Sequence, residues 1–432
     1  MSERFEAGAA RAVITPPIGT LLYGYRPDIA CEAVHDDLTV TAAAFRQGDV
    51  TALLVTVTVG DVNTALCDAL RQAISARTGV PFSQILLCAT HTHCAPNVSG
   101  VEGWGEIDRD YVDAILLPGL LSACREAIDD LREAELAVST TRSDVGVNRR
   151  EIRPNGDVCL GQNPFGSYDP EMTVAAFRDK TGKGILNLIH YGCHGTAAGL
   201  APVVTRDWSG VMIDRMERET GTLTAYWNGA EGDVGPRLTN GETTGDMTHV
   251  EELGAVAAMD AMCAYRSLGG FHPCSLRTYS KEIRLPYAPL PTLAEVREKL
   301  AAMPEPEKRI NIDKLTYAHY RDLERLLTSG TTAHPTHFTF ALSALRVGDL
   351  LLIALPYEIF SEITLRLRAY LPSPYVLCLS NANGYNGYFP SQDQICRGGY
   401  EVDSFVMGHV YNLTQDADQK LIDEICAMFK ED

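Results

Sequence analysis

The sequence predicts an α/β fold: a mixed, largely buried β-sheet core flanked by helices, with an active site at the carboxyl ends of the strands. Three observations predict it. Short apolar, β-branched runs of strand length alternate with segments of helical periodicity along the 432 residues. These runs are apolar throughout rather than alternating with polar residues, which implies cover on both faces. Several of them end in residues with chemistry to offer, and ligands of α/β folds bind beyond the carboxyl ends of strands.

Taken in chain order, Thr51–Gly60 reads as a strand that stops at Asp61. The helix after it carries Leu66, Leu70, Ala73 and Ile74 at helical spacing and closes near Gly79 and Pro81. A second buried strand, Gln84–Ala89, runs straight into Thr90-His91-Thr92-His93. Gly184–Ile189 leads through His190 to Cys193-His194-Gly195, and Thr222–Trp227 leads into the loop Asn228–Pro236. Asp349–Leu355 precedes Pro356-Tyr357-Glu358 and a helix bearing Ile363, Leu365, Leu367 and Leu371. Tyr375–Leu379 leads into a glycine-rich segment ending at Tyr388, and Asp416–Phe429 has the pattern of a terminal amphipathic helix. One stretch breaks the alternation: 286–337 is proline-rich, with a charged helical segment from Thr292 to Arg325, and reads as a peripheral helical insertion or a lid, or equally as a solvated surface helix pair. No internal repeat stands out, and the expectation is a single domain over 1–432.

Composition narrows the function. The formal net charge of −19 disfavours phosphate backbones and anionic membrane surfaces, so neither nucleic-acid binding nor stable membrane association is expected. The N-terminal residues lack the basic start and apolar run of a secretory signal, and no stretch reaches the roughly twenty apolar residues of a membrane span. Twelve cysteines without CxxC pairs suggest reduced thiols and a cytoplasmic location. The expected partner is a small-molecule substrate, with a homo-oligomer left open.

Candidate chemistry gathers at the strand ends. His91 and His93, two apart on extended backbone, point to one face and can address one metal, or one metal and one substrate atom. His194 lies between Gly192 and Gly195 and reads as a ligand or as a turn residue. Cys193 and Cys94 leave a thiolate ligand or nucleophile open. Glu358 completes a two-histidine, one-carboxylate set of catalytic zinc type, or else caps a helix. Glu231 and Asp233 could hold a histidine in its working tautomer, or Asp233 could bond only to its own turn.

Together these segments resemble the neutral/alkaline non-lysosomal ceramidase family, zinc amidases that cleave the N-acyl bond of ceramide. The resemblance runs in order through Val13-Ile14-Thr15-Pro16-Pro17-Ile18-Gly19, Val34-His35-Asp36-Asp37-Leu38, Ala89-Thr90-His91-Thr92-His93 and Gly146-Val147-Asn148-Arg149-Arg150. It continues through Cys193-His194-Gly195-Thr196, Arg206-Asp207-Trp208-Ser209-Gly210 and Gly229-Ala230-Glu231-Gly232-Asp233-Val234. It closes on Leu355-Pro356-Tyr357-Glu358, Asn383-Gly384-Tyr385-Asn386-Gly387-Tyr388 and Gly398-Gly399-Tyr400-Glu401-Val402. The resemblance implies one zinc ion held by His91, His194, Glu358 and Tyr388. It implies His93 as proton acceptor beside the metal, Tyr400 as a transition-state hydrogen-bond donor, and Arg149 as a contact to the substrate carbonyl region.

Three departures point away from ceramide towards a small soluble substrate. Gly235 stands where ceramide-cleaving members have serine, and neither a counterpart of their C-terminal β-sandwich domain nor an export signal is expected. The expected activity is a zinc-dependent amidohydrolase acting on linear amides. A metal-dependent esterase or lactonase, or an inactive binding protein of the same fold, is the alternative.

Overall fold

The apolar runs fold as strands, and the order in which they pair repeats along the chain. The computed structural model describes residues 4–309, 311–330 and 333–430. The first copy contains β1 (Phe5–Val13), β2 (Thr39–Gln47), β3 (Val50–Val57), α1 (Thr64–Thr78), β4 (Ile85–Ala89) and α2 (Leu117–Asp129). β1, β2 and β3 form an antiparallel meander, and β4 returns parallel to β3 after the α1 crossover. The second copy has the same order: β5 (Arg132–Arg142), β6 (Glu171–Asp179), β7 (Gly184–Tyr191), α3 (Asp207–Thr220), β8 (Thr224–Asn228) and α4 (Met247–Arg266). The third follows with β9 (Leu276–Pro286), the inserted helices α5 (Leu293–Ala302) and α6 (Asn311–Thr328), then β10 (His337–Val347), β11 (Leu350–Ala354), α7 (Ser361–Tyr370), β12 (Tyr375–Leu379) and α8 (Ala417–Met428). This repeat corrects the sequence expectation. What recurs is strand order and crossover, not side-chain identity.

The first two copies join edge to edge through β1 and β5, giving the order β8-β7-β6-β5-β1-β2-β3-β4, while the third forms its own sheet, β9-β10-β11-β12. The two sheets stack face to face. Along β2, Val40, Ala42 and Ala44 belong to the core under α1 and α2, whereas Ala43 and Phe45 face the second sheet. Along β11, Leu350 and Leu352 enter the space between the sheets, while Leu351 and Ile353 pack with Ile363 of α7 and Leu421 of α8. The result is four layers, helix, sheet, sheet and helix, which explains why the strands are apolar on both faces.

Local chemistry fixes the elements. Gly48-Asp49 and Gly348-Asp349 make two-residue hairpin loops, with glycine at φ +58° and +57°, as the type II′ turn demands. Asn63 caps α1 by accepting from Ala65 N at 3.0 Å, and Gly79 closes it in the left-handed region. The insertion begins and ends on paired residues, Pro286 opposite His337. Its charged segment forms a pair of helices, separated at Pro304 and Pro306; residues 310, 331 and 332 of the insertion lie outside the described residues. Among the described residues, no helix is long and apolar enough to cross a membrane.

Candidate metal centre

The repeat delivers the site. In each copy the third and fourth strands run parallel and end side by side, and the residue that matters lies two to four positions beyond the strand. The first copy supplies Asp61 after β3 and His91 after β4. The second supplies His194 after β7 and Glu231 after β8, and the third Glu358 after β11 and Asn381 after β12. The loops approach so closely that two glycines are obligatory. A Cβ at Gly195 would lie 2.7 Å from His91 O, and one at Gly232 would lie 2.5 Å from Glu358 O. His91 itself takes a left-handed φ of +66°, a strained conformation held by its N–H bond to Val59 O at 3.0 Å.

His91, His194 and Glu358 each offer one ligand atom, and these atoms lie within 4.8 Å of one another. All three side chains are buried. The other ring nitrogen of each histidine is already committed. His91 Nδ1 meets Asp61 Oδ1 at 2.9 Å. His194 Nδ1 meets the backbone oxygens of Glu231 at 2.9 Å and Val234 at 3.0 Å. Carbonyl oxygens only accept, so Nδ1 of His194 carries its proton and Nε2 presents a bare lone pair. That Nε2 lies 3.0 Å from Glu358 Oε2, yet among the described residues neither atom has a hydrogen-bond partner. Two electron-rich atoms so close in a buried site are mutually repulsive unless a cation lies between them. The donor set, two imidazoles and a carboxylate, fits zinc.

Electrostatics agree. Burial, reinforced by Arg149, pushes the pKa of His194 down to about 3, so the ring is neutral, as a ligand must be. Burial also opposes charge on His91, but Asp61 and Glu358 outweigh it and hold its pKa at about 10. With only a proton to offer, the ring supplies the positive charge that the carboxylates demand. Burial alone would raise Glu358, yet His91, His194 and Arg149 pull it below the usual range, so it is an anion. His93 is pushed well down by burial and by the two neighbouring rings, and stays neutral.

The remaining expected residues surround this set. His93 Nε2 lies 3.4 Å from His91 Nε2, and its ring centre is 6.1 Å from that of His194. Tyr388 pairs with Glu358 in a short parallel bridge and accepts from Arg149 Nη2 at 3.0 Å through its hydroxyl. The Tyr400 ring stands edge-on to Tyr388 with centroids 5.8 Å apart. Thus all seven expected side chains converge. Four neighbours were not expected: Asp61; Tyr23, whose hydroxyl donates to Asp61 Oδ2 at 2.7 Å; Tyr385, whose hydroxyl donates to Glu358 Oε1 at 3.0 Å; and Glu401 beside Tyr400. A signal existed for three of them, since Asp61 ends a recognised strand and Tyr385 and Glu401 sit inside recognised motifs.

Two expectations are revised. The carboxylate of Glu231 does not orient a histidine; it accepts from Asn381 Nδ2 at 2.8 Å, and the backbone oxygen does the orienting. Asp233 accepts from Ser361 N at 2.8 Å and Oγ at 2.7 Å, holding the start of α7. Among the described residues, the group of side chains that could hold a metal contains neither Cys94 nor Cys193, and burial pushes both thiols well above their ordinary pKa, which disfavours the cysteine alternative.

No protein-family profile matches the chain, and no curated protein matches it. Solved structures do. A structure described as ceramidase complexed with C2 superposes with a TM-score of 0.76 at 17% identity, covering 99% of this chain and 76% of the other. The chain has the neutral-ceramidase fold. A neutral ceramidase from Pseudomonas aeruginosa matches with a TM-score of 0.70 at 17% identity, over 98% of this chain and 75% of that one. Identity so low makes the neutral-ceramidase fold the extent of the likeness, and the chemistry rests on the centre itself.

Proposed function

We propose that the protein is a zinc-dependent hydrolase that cleaves an amide (N-acyl) bond in a small soluble substrate. The observation that carries this reading is the buried His91–His194–Glu358 set, in which the outer nitrogens are committed and, among the described residues, His194 Nε2 and Glu358 Oε2 face one another without partners. These three residues, with Tyr388 as the fourth, would hold the ion. A zinc ion bound there supplies a water of near-neutral pKa and polarises a carbonyl.

The chain's own groups do the rest. His93, kept neutral by its burial, accepts the proton released as the nucleophile attacks and returns it to the leaving amine. Arg149 and Tyr400 donate to the oxygen on which negative charge develops, inside a buried region where such donors count most. No covalent acyl-enzyme is needed. Gly235, in place of a serine, and the net charge of −19 favour a small soluble amide over a membrane lipid.

The test is a hydrolysis panel of N-acyl amides, esters and lactones with zinc-loaded protein. The expected result is amide cleavage that a chelator abolishes and added zinc restores. Lactone or ester cleavage alone would move the assignment to a metal-dependent esterase, and inertness towards the whole panel with zinc bound would leave a binding protein.

A further inference from the structure

Glu401 stands in the short helix Tyr400–Asp403, next to Tyr400, and is 2% exposed. Each of its carboxylate oxygens is taken by a different arginine. Oε1 accepts from Arg149 Nε at 2.8 Å, and Oε2 accepts from Arg150 Nη1 at 2.6 Å. Arg150 is fully engaged in holding the surrounding segment, since its Nε donates to Gln394 Oε1 at 2.9 Å and its Nη2 to Gly398 O at 2.5 Å. Arg149 is not. Its Nη2 donates to the Tyr388 hydroxyl at 3.0 Å, and among the described residues Nη1 has no hydrogen-bond partner. Both arginines are buried.

Two guanidinium groups against one carboxylate leave this cluster with one positive charge in excess. Burying such an excess is unfavourable by itself, and an arriving anionic oxygen offsets it. A long arginine side chain would otherwise be free to swing. The contact at Nε pins one edge of the guanidinium, so that Nη2 reaches Tyr388 and Nη1 is left for a ligand. We propose that Glu401 is the positioning residue that fixes Arg149, and that the Arg149–Glu401–Arg150 cluster presents its excess charge to the oxygen of the substrate that becomes negative. This rests on the hydrolase reading for its catalytic consequence, though not for its anion-binding consequence.

The experiment compares zinc-loaded wild type, Glu401→Gln, Arg149→Lys and the double variant. Two readouts are used: steady-state amide hydrolysis, and titration with hexanoate, a simple carboxylate, by calorimetry. Glu401→Gln is expected to lower kcat about 10- to 100-fold through misplacement of Arg149, with KM within about twofold and zinc content unchanged. In the Arg149→Lys background the same substitution should cost less than about threefold, because lysine has no second edge to hold. Hexanoate affinity should fall in both single variants and no further in the double. A loss of equal size in both backgrounds would make Glu401 merely structural and overturn the proposal, as would unchanged hexanoate affinity or a wild type that does not bind hexanoate. If Glu401→Gln does not fold, Glu401→Asp keeps the charge but draws it back by one methylene. It should lower kcat with little change in Tm, and unaltered kcat would overturn the proposal equally. A wild type that binds hexanoate with the predicted coupling yet cleaves no amide would remove the hydrolase reading and leave the positioning assignment standing.

Discussion

His91 and His194 look alike in sequence, each a histidine just past a strand, yet they are oriented by different means. His91 leans on the carboxylate of Asp61, itself held by the Tyr23 hydroxyl, whereas His194 leans on two backbone carbonyls. Removing the outer partner of a ligating histidine commonly weakens metal binding about 10- to 100-fold. Asp61→Ala should therefore weaken zinc by that order, while His93→Ala should retain zinc and lower turnover by about 100-fold or more. Zinc affinity and kcat measured on both variants test the division, and normal turnover in His93→Ala would take that residue out of the chemistry. At this scale the sequence was informative about ligands and poor about their supports. Histidines two apart after a strand announce themselves, but a lone Asp61 resembles any acid at a strand end, and only the fold brings it to His91. Glu401 was hidden in the same way: it lay inside a recognised motif, but its partners Arg149 and Arg150 stand 252 and 251 residues earlier in the chain.

Strands and helices were legible because their signals are local. The helix closing at Gly79 and the strand running into His91 lie where periodicity and glycine place them. Stacking of two sheets was not legible, since an apolar strand covered by a second sheet reads the same as one covered by helices. The two Gly-Asp hairpin loops, at 48–49 and 348–349, were the visible trace of the repeat. The elements also explain why the site depends on glycine. A methyl group at Gly232 would meet Glu358 O at 2.5 Å and Ile359 O at 2.9 Å, both backbone atoms that cannot rotate away. Gly232→Ala should displace the Glu358 strand, weaken zinc about tenfold or more, and cost about 1–3 kcal/mol of stability. Gly270→Ala is the control, because its added methyl group meets nothing within 4 Å. If zinc titration and thermal denaturation gave the same results for both, the close-packing argument would fail.

Seen as a whole, the molecule gathers its centre from all three copies of the repeat: His91 from the first, His194 from the second and Glu358 from the third. The same copies share the core between the sheets, where Phe5, Phe177 and Leu352 meet. A cation bound at this junction ties together segments that the chain order keeps far apart, so its binding energy adds to the stability of the entire fold, about 2.7 kcal/mol when the free metal exceeds its dissociation constant a hundredfold. The central claim is that one zinc ion sits at that junction. Diffraction from zinc-loaded crystals, collected on either side of the zinc absorption edge, tests it most directly. The account predicts a single strong anomalous peak about 2.0–2.2 Å from His91 Nε2, His194 Nε2 and a Glu358 oxygen. Zinc bound stoichiometrically at another place, with these three side chains bonded only to one another, would contradict it.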